Sequence, residues 1–342
     1  MPNAQSWIWW PPVCQSSVQE KMNAPAAPVA DDGVRGPEVA SVSGRRERFG
    51  LFFSGAWEPA DRVRLTAGAR WDSIGDRFGS AGDSTRRAWS PRAGVSVRIG
   101  RLDARPTSVF FQASRAFKAP TVDQLFDPRP FPDFSGGTFS ISNTLLEPQR
   151  AETLEAGISR RGGRSSFELV LYRTEVDNEI DFDPVTFRYA NIGRTLHQGV
   201  EASATLFPAS SVSPFFSWSW TRTEPLEGEN RGGQLKNIPE HLVRPGLAIA
   251  LSGELRVETV ATILTGRFLD DGHRFPLDDA AVLDIRVSKR FGGFLAKADF
   301  LNVTDRNWEE VGLALPDFQG DLVPYYFPAA GFTARLGIEW RF

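Results

Sequence analysis

From Phe49 to Phe342, apolar and polar side chains alternate with a period of two, the mark of strands whose two faces meet different surroundings. Val63, Leu65, Ala67, Ala69 and Trp71 share one parity, and Arg62, Arg64, Thr66, Gly68, Arg70 and Asp72 share the other. Leu283, Ile285 and Val287 alternate with Asp284, Arg286 and Ser288. The closing stretch GFTARLGIEWRF sets Phe332, Ala334, Leu336, Ile338, Trp340 and Phe342 against Thr333, Arg335, Gly337, Glu339 and Arg341. The pattern predicts thirteen strands, near 49–58, 61–72, 86–99, 106–117, 150–161, 164–183, 187–207, 211–224, 240–252, 254–266, 279–291, 293–303 and 331–342. Most exceed the usual length of about five or six residues in soluble sheets. They match the roughly 9–11 residues that a tilted strand needs to cross a bilayer.

Alternation alone also suits a soluble sandwich, in which one face packs on a second sheet. The connections separate the two cases. Short ones fall near 58–61, 100–105, 161–164, 207–211, 252–254 and 291–293, and long ones at 72–86, 117–150, 224–240, 266–279 and 303–331. Only 183–187 breaks the rhythm, between the two longest strands. Short turns on one side and long loops on the other is the layout of outer-membrane barrels, with the charged parity toward the lumen and the apolar parity toward lipid. The predicted fold class is therefore all-β, an antiparallel transmembrane β-barrel with 13–14 strands present. Phe342, Trp340 and Trp71 would lie near the interfaces, and the last strand would close the cylinder at the periplasmic rim. Bacterial barrels have an even strand count with both ends periplasmic. Thirteen strands therefore imply either one more within 1–48, for which 33–44 is a weak candidate, or a missing front.

Composition changes this picture little. The net charge of −3 gives no field for nucleic acid, and Cys14 is alone, which excludes an intrachain disulfide and multi-thiolate metal sites. Mean hydropathy is −0.27, as expected when apolar and polar residues alternate. No apolar run of about 18 residues offers a transmembrane helix. The N-terminus, MPNAQSWIWWPPVC, lacks a basic segment and is broken by Pro11 and Pro12, unlike a secretory signal peptide. Residues 15–48 are rich in Ala, Pro, Ser and charge without a period, so 1–48 reads as a disordered or unrelated segment ahead of a barrel portion at 49–342.

Several stretches resemble the C-terminal half of TonB-dependent outer-membrane receptors. SRAFKAPTVDQLF (114–126) is similar to the family's Phe-Arg/Lys-Ala-Pro segment, and LEPQRAETLEAGIS (146–159) to its Leu-x-Pro-Glu segment, with Gln149 where Glu is usual. ELVLYRTEVDNEIDFDPVTFRYANIGRTLHQGVEASATLF (168–207) resembles its tyrosine strand, Asn-x-Gly and Gly-Val-Glu strand in order. AKADFLNVTDRNW (296–308) resembles its Asn-x-x-Asp, and GFTARLGIEWRF its closing strand. The resemblance covers roughly 49–342. It implies the C-terminal part of a 22-stranded barrel in a Gram-negative outer membrane, in contact with lipid. It also implies energised uptake of a metal chelate of the iron–siderophore or cobalamin type, with no cofactor. The plug domain and the segment that engages the inner-membrane TonB complex find no counterpart in the sequence, so the expectation is a truncated receptor reaching that complex only through a plug absent here. A passive porin-like channel is the alternative. An enzyme is not expected: there is no Gly-x-Ser-x-Gly, and no His has a recognisable partner.

The motif positions are Phe117, Lys118, Pro120, Asn191, Gly193, Gly199, Glu201, Asn302, Asp305 and Phe342. Pro120 ends a strand and shapes the exit into loop 117–150. Asn191, Gly193, Asn302 and Asp305 suit turns and strand ends. Gly199 and Glu201 fall on the lumen parity, where Glu201 would pair with a neighbouring Arg. Ligand candidates gather on long loops, because binding residues favour loops held by a rigid scaffold. They are Phe126, Arg129, Phe131 and Phe134 in 117–150, His273 in 266–279, and Trp308, Tyr325 and Tyr326 in 303–331. Aromatic faces with an Arg could grip a planar anionic chelate. The same aromatics also suit packing of loop on loop, or a place at the lipid interface. Asp270, Asp271 and Gly272 look like half a calcium loop, with a turn as the simpler reading. His197, His241 and His273 show no metal spacing.

Overall fold

Strands with two unlike faces pair in sequence order into a single antiparallel ladder. The computed structural model describes residues 20–23, 43–78, 83–100, 107–127, 129, 131–132, 137–317 and 319–340. Phe134, Phe342 and most of the weak strand candidate 33–44 lie outside them.

In chain order the strands begin with β1 (Glu20–Asn23), β2 (Ser43–Ala60), β3 (Val63–Arg77), β4 (Asp83–Ile99) and β5 (Thr107–Lys118). Helix α1 (Val122–Phe126) follows, with β6 (Phe131–Pro132) and β7 (Thr138–Phe139). Next come β8 (Gln149–Arg161), β9 (Ser165–Asp177), β10 (Ile180–Asp183), β11 (Arg188–Asn191), β12 (Thr195–Leu206) and β13 (Val212–Pro225). Then come β14 (His241–Leu251), β15 (Leu255–Thr265), β16 (Arg267–Phe268), β17 (Pro276–Leu277) and β18 (Ala280–Phe291). The chain continues through β19 (Phe294–Leu301), β20 (Glu309–Pro316), β21 (Leu322–Pro328) and β22 (Thr333–Trp340).

Fourteen of these form the wall, in the order β1-β2-β3-β4-β5-β8-β9-β12-β13-β14-β15-β18-β19-β22. The other eight pair as four two-stranded ribbons, β6-β7, β10-β11, β16-β17 and β20-β21. All four sit in long connections, at the end of the wall opposite the tight turns. Among the described residues, β22 pairs with β19, and no pairing joins it to β1.

The register carries the alternation across the wall. Glu258, Arg286, Asp299 and Arg335 stand in one row over β15, β18, β19 and β22, and Val257, Val287, Ala298 and Leu336 stand in the next row on the other face. Arg286 Nη1 lies 3.7 Å from Glu258, and Lys297 pairs with Glu339. No second layer of described residues covers the apolar face: Leu336, Ile338 and Trp340 are 83%, 76% and 62% exposed. Among the described residues that rules out a sandwich, and an uncovered apolar face of this kind is what an outer-membrane barrel presents.

The elements differ from the sequence expectation in instructive places. β2 starts at Ser43 rather than 49, and β1 pairs with its first residues, so Glu20–Asn23 and Ser43–Arg48 are strand where 1–48 read as unstructured. The charged run Arg45, Arg46, Glu47, Arg48 hides the alternation, because there both faces are polar. The ladder likewise continues through Arg77 and from Asp83, shrinking the expected connection 72–86. The two longest strands each divide. Asn178 (φ 56°) and Gly193 (φ 85°) adopt left-handed backbone, which peels β10-β11 off β9 and β12 as a separate ribbon. The odd connection at 183–187 is therefore the tip of another long-side loop, and the short–long rhythm is complete. The expected loop 303–331 contains the ribbon β20-β21.

Candidate functional site

The long connections fold over one end of the wall as a cap, and its attachment begins with a charge. Arg46 on β2 is 1% exposed. Its Nε and Nη2 donate to Asp76 of β3 at 2.5 and 2.9 Å, and its Nη1 donates to the Pro120 carbonyl at 2.9 Å. Arg86 of β4, a second cation, adds a third bond to Asp76 at 2.8 Å and reaches the Leu146 carbonyl at 3.3 Å. The Phe117–Pro120 segment thus ends β5 by presenting a carbonyl to a cation buried among three strands. Thr121 and Gln124 form a capping box that starts α1. The helix inserts Leu125 against Leu146 and Ile180, with Phe126 and Tyr189 packed on the same cluster.

Aromatic rings continue outward from that core. Phe126 stacks on Phe78 with centroids 3.8 Å apart. Phe131 meets Phe139 at 5.9 Å, Phe139 meets Phe187 at 5.3 Å, and Phe182 meets both Phe187 and Tyr189. Arg129 lies over the Phe131 ring at 5.5 Å and donates from Nε to Asp127 at 2.9 Å. Arg129 holds the Asp127 carboxyl below the usual carboxylate range. Burial raises the Tyr189 phenol, helped by Asp123 and Asp127.

Polar clips fix the remaining loops. Asn191 donates to the carbonyls of Glu147 (3.0 Å) and Asn178 (2.8 Å) and accepts from the Glu147 amide (2.9 Å). Glu179 is shared by Thr195 and by His197, whose Nε2 is 3.0 Å away. Burial pushes the Glu179 carboxyl up, but the bonds from His197 and Thr195 outweigh it and leave it lowered. Lys236, with a side chain 10% exposed, pairs with Asp181 of β10 and stands 3.5 Å from Asp271, tying together three loops. Asn237 exchanges bonds of 2.9 and 3.0 Å with Gly312 of β20. A second core, Leu269, Leu277 and Ala314, lies beneath, with Phe275 and Leu322 packed on it.

Each expected residue other than Phe134 and Phe342, which lie outside the described residues, now has a place. Phe126 belongs to the cap core. His273 stacks on Phe268 at 4.3 Å and bonds the Gln234 backbone, and Trp308 lies under Arg267 at 5.3 Å. Arg129 and Phe131 lie together at the aromatic chain, while Tyr325 and Tyr326 stand about half exposed on β21 with Phe327. The structure does not gather all of these into one pocket. Gly199 lets Tyr172 lie across β12, since a Cβ there would strike the Trp220 carbonyl and the Tyr172 ring. Glu201 lies between Val170 and Ser219 on the charged face. Phe117 and Lys118 end β5 opposite Arg150 and Gln149. Asn302 (φ 48°) receives the Arg306 amide at 2.9 Å and donates to the Ala330 carbonyl at 3.2 Å. Asp305 receives the Phe332 amide at 2.8 Å, so Asn-x-x-Asp aims the start of β22. Asp270 accepts the Arg274 and Phe275 amides, a turn rather than a cation loop. Among the described residues, no group of three or more His, Cys, Asp or Glu could hold a metal.

Sequence reasoning passed over Arg46, Lys236, Asn237 and Arg267. Thr121-x-x-Gln124 was a readable signal for α1. The four polar residues act through partners about 30 or more positions away, which no local pattern encodes. The wall supports the cap rigidly, and the cap presents flat aromatic faces beside a guanidinium, which suits a planar ligand bearing negative charge.

Residues 19–309 match the family described as TonB dependent receptor-like, beta-barrel. Among solved structures, the ferric yersiniabactin uptake receptor FyuA from Yersinia pestis is similar at TM-score 0.64 and 14% identity, over 87% of this chain and 46% of that one. The copper transporter OprC gives 0.66 and 18%, over 92% and 51%. The siderophore receptor PiuA from Acinetobacter baumannii gives 0.62 and 15%, over 87% and 44%. The chain therefore spans about half the length of the structures it resembles.

Proposed function

Because the chain belongs to the TonB-dependent receptor-like β-barrel family of Gram-negative outer-membrane transporters, we propose that it supplies the wall and ligand-capturing cap of a receptor for energised uptake of a metal chelate. The observation that carries this reading is the cap of interlocked loops, with exposed aromatic faces and Arg129 above a wall whose inner face is charged. Arg129, Phe131, Tyr325 and Tyr326 make first contact with the ligand. Phe126, His273 and Trp308 hold the loops that present them. The substrate class is a planar, anionic chelate of iron or a comparable metal. Transfer across the membrane is driven from the inner-membrane TonB complex through a plug that moves along the charged wall.

The test is binding of a panel of ferric catecholate, ferric hydroxamate and cobalamin ligands to the full chain in detergent, read by tryptophan quenching. At least one ligand is expected to bind, and Arg129→Ala with Tyr325→Ala and Tyr326→Ala is expected to weaken it by roughly a hundredfold. No binding by any of the three classes, together with passive ion conductance in planar bilayers, would establish the porin reading instead.

A further inference from the structure

The outward face of β8 and β9 carries charge at both ends, and the two ends differ in how that charge is matched. From the cap downward, the outward rows run Glu152 with Glu175, Leu154 with Arg173, Ala156 with Leu171, Ile158 with Leu169, and Arg160 with Phe167. At the cap end the cations have carboxylate partners: Arg115 pairs with Glu152, and Arg173 with Glu175 at 2.7 Å. The tight turn at the other end is different. Arg160, Arg161 and Arg164 fall within five residues there, all exposed, and the stretch from Ala156 to Phe167 holds no acidic residue. Among the described residues, none of the three is in an ion pair. Cations near other tight turns are matched: Arg64 and Arg98 share Glu58 at 3.3 and 3.6 Å, and Arg290 lies 3.4 Å from Glu254.

Backbone bonds hold this turn at a fixed level. The Gly162 amide donates to the Ser165 carbonyl at 2.7 Å, and the Phe207 amide, just past the end of β12, donates to the Arg164 carbonyl at 2.8 Å. Phe167, Leu169 and Leu206 stand exposed on the outward parity beside it. The cations therefore lie where the apolar band stops, the level at which hydrocarbon gives way to headgroups. Tight turns are the periplasmic side of an outer-membrane barrel, so these headgroups belong to the periplasmic leaflet. Unmatched basic residues at a membrane surface attract anionic lipid, and a guanidinium can hold a phosphate through two parallel bonds.

We propose that the β8–β9 turn is a docking site for an anionic glycerophospholipid of the periplasmic leaflet. Arg160 and Arg164 take the phosphate, and Phe167 and Leu169 take the start of the acyl chains. Arg161, on the lumen parity, adds to the field without touching the lipid. The inference rests on the wall spanning a bilayer, and it does not depend on which ligand the cap captures.

The test is native mass spectrometry of the full chain in detergent with phosphatidylglycerol, phosphatidylethanolamine or soluble glycerol phosphate. Roughly tenfold more phosphatidylglycerol than phosphatidylethanolamine is expected to be retained. Arg160→Gln with Arg164→Gln should abolish that preference. Arg256→Gln with Arg290→Gln removes the same charge from the lumen parity of β15 and β18 and should leave it intact. Heat-modifiable migration reads the folding of each chain separately, so a wall that fails to form is told apart from a wall that forms and holds no lipid. Equal retention of the two lipids by the folded native chain overturns the proposal. So does a preference that survives Arg160→Gln with Arg164→Gln, or one that the lumen-side pair abolishes equally. Glycerol phosphate binding as well as the whole lipid also overturns it, because the occupant would then not be a lipid.

Discussion

The wall and the cap solve the same problem with opposite arrangements. In the wall, large apolar side chains point away from protein: Leu51, Trp89, Leu171, Leu336 and Ile338 are all exposed. The cap is built like a small soluble protein, with Leu125, Leu146 and Leu269 at 2% exposure or less and polar groups clipped around them. The wall builds no core of its own, the arrangement that a bilayer-spanning sheet allows, and its ladder pairs the backbone groups throughout. The cap stands beyond the bilayer, so it must bury apolar surface against itself. One chain thus uses one set of residue types under two solvent rules.

That contrast can be broken at its joint or on either side. The largest effect is expected at Arg46, where wall and cap meet. Arg46→Ala leaves Asp76 buried with one partner fewer and the Pro120 carbonyl without its donor, at a cost of about 3–5 kcal/mol. Urea unfolding of the folded chain in detergent checks it. Leu125→Ala should cost about 2–5 kcal/mol through the cavity left in the cap core. Its effect should appear as protease sensitivity at 117–150 rather than as loss of the heat-modifiable wall. Ile338→Arg reverses the logic: on an outward position 76% exposed, a charge should cost about 2–4 kcal/mol if hydrocarbon is the neighbour. A change within about 0.5 kcal/mol, as at a water-exposed surface site, would mean that water wets this face.

The smallest effect concerns acid. Asp127 and Glu179 both have folded pKa values below their unfolded ones. Their contribution is therefore present above the unfolded values of about 4 and is lost as pH falls through the lowered ones. Hydrogen exchange in 121–127 and 178–195 should rise on acidification below about pH 4, while exchange in the wall strands stays unchanged. Equal acceleration in both regions would show that wall and cap unfold as one unit.

The wall was legible in sequence wherever its two faces differ. Val63–Trp71 and Thr333–Trp340 alternate plainly, and their parity fixes which side faces lipid. Legibility failed where the ladder rises past the bilayer. At Arg45–Arg48 and Asp83–Arg87 both faces are polar, and Asp72–Arg77 carries only Ile74 as a large apolar residue, so the period vanishes although the pairing continues. Motif residues such as Asn191, Asn302 and Asp305 could be recognised as turn formers by residue type, but their bonds to Glu147, Ala330 and Phe332 join distant segments and could not be read. The cap could not be read further. Leu125 meets Ile180 and Leu269 meets Ala314 across long separations, and nothing within a window of ten residues says so.

Lys236 has one more consequence. It holds Asp181 and stands beside Asp271 while nearly enclosed, and the next residue is bonded to Gly312. Pulling any of those segments away would strand a cation in a poorly hydrated place, a heavy penalty for so small a displacement. The three segments are thus expected to be ganged, shifting together rather than singly. Spin labels at 185 and 273 should change their separation from the barrel rim in step in the native protein, and independently once Lys236→Met removes the shared pin.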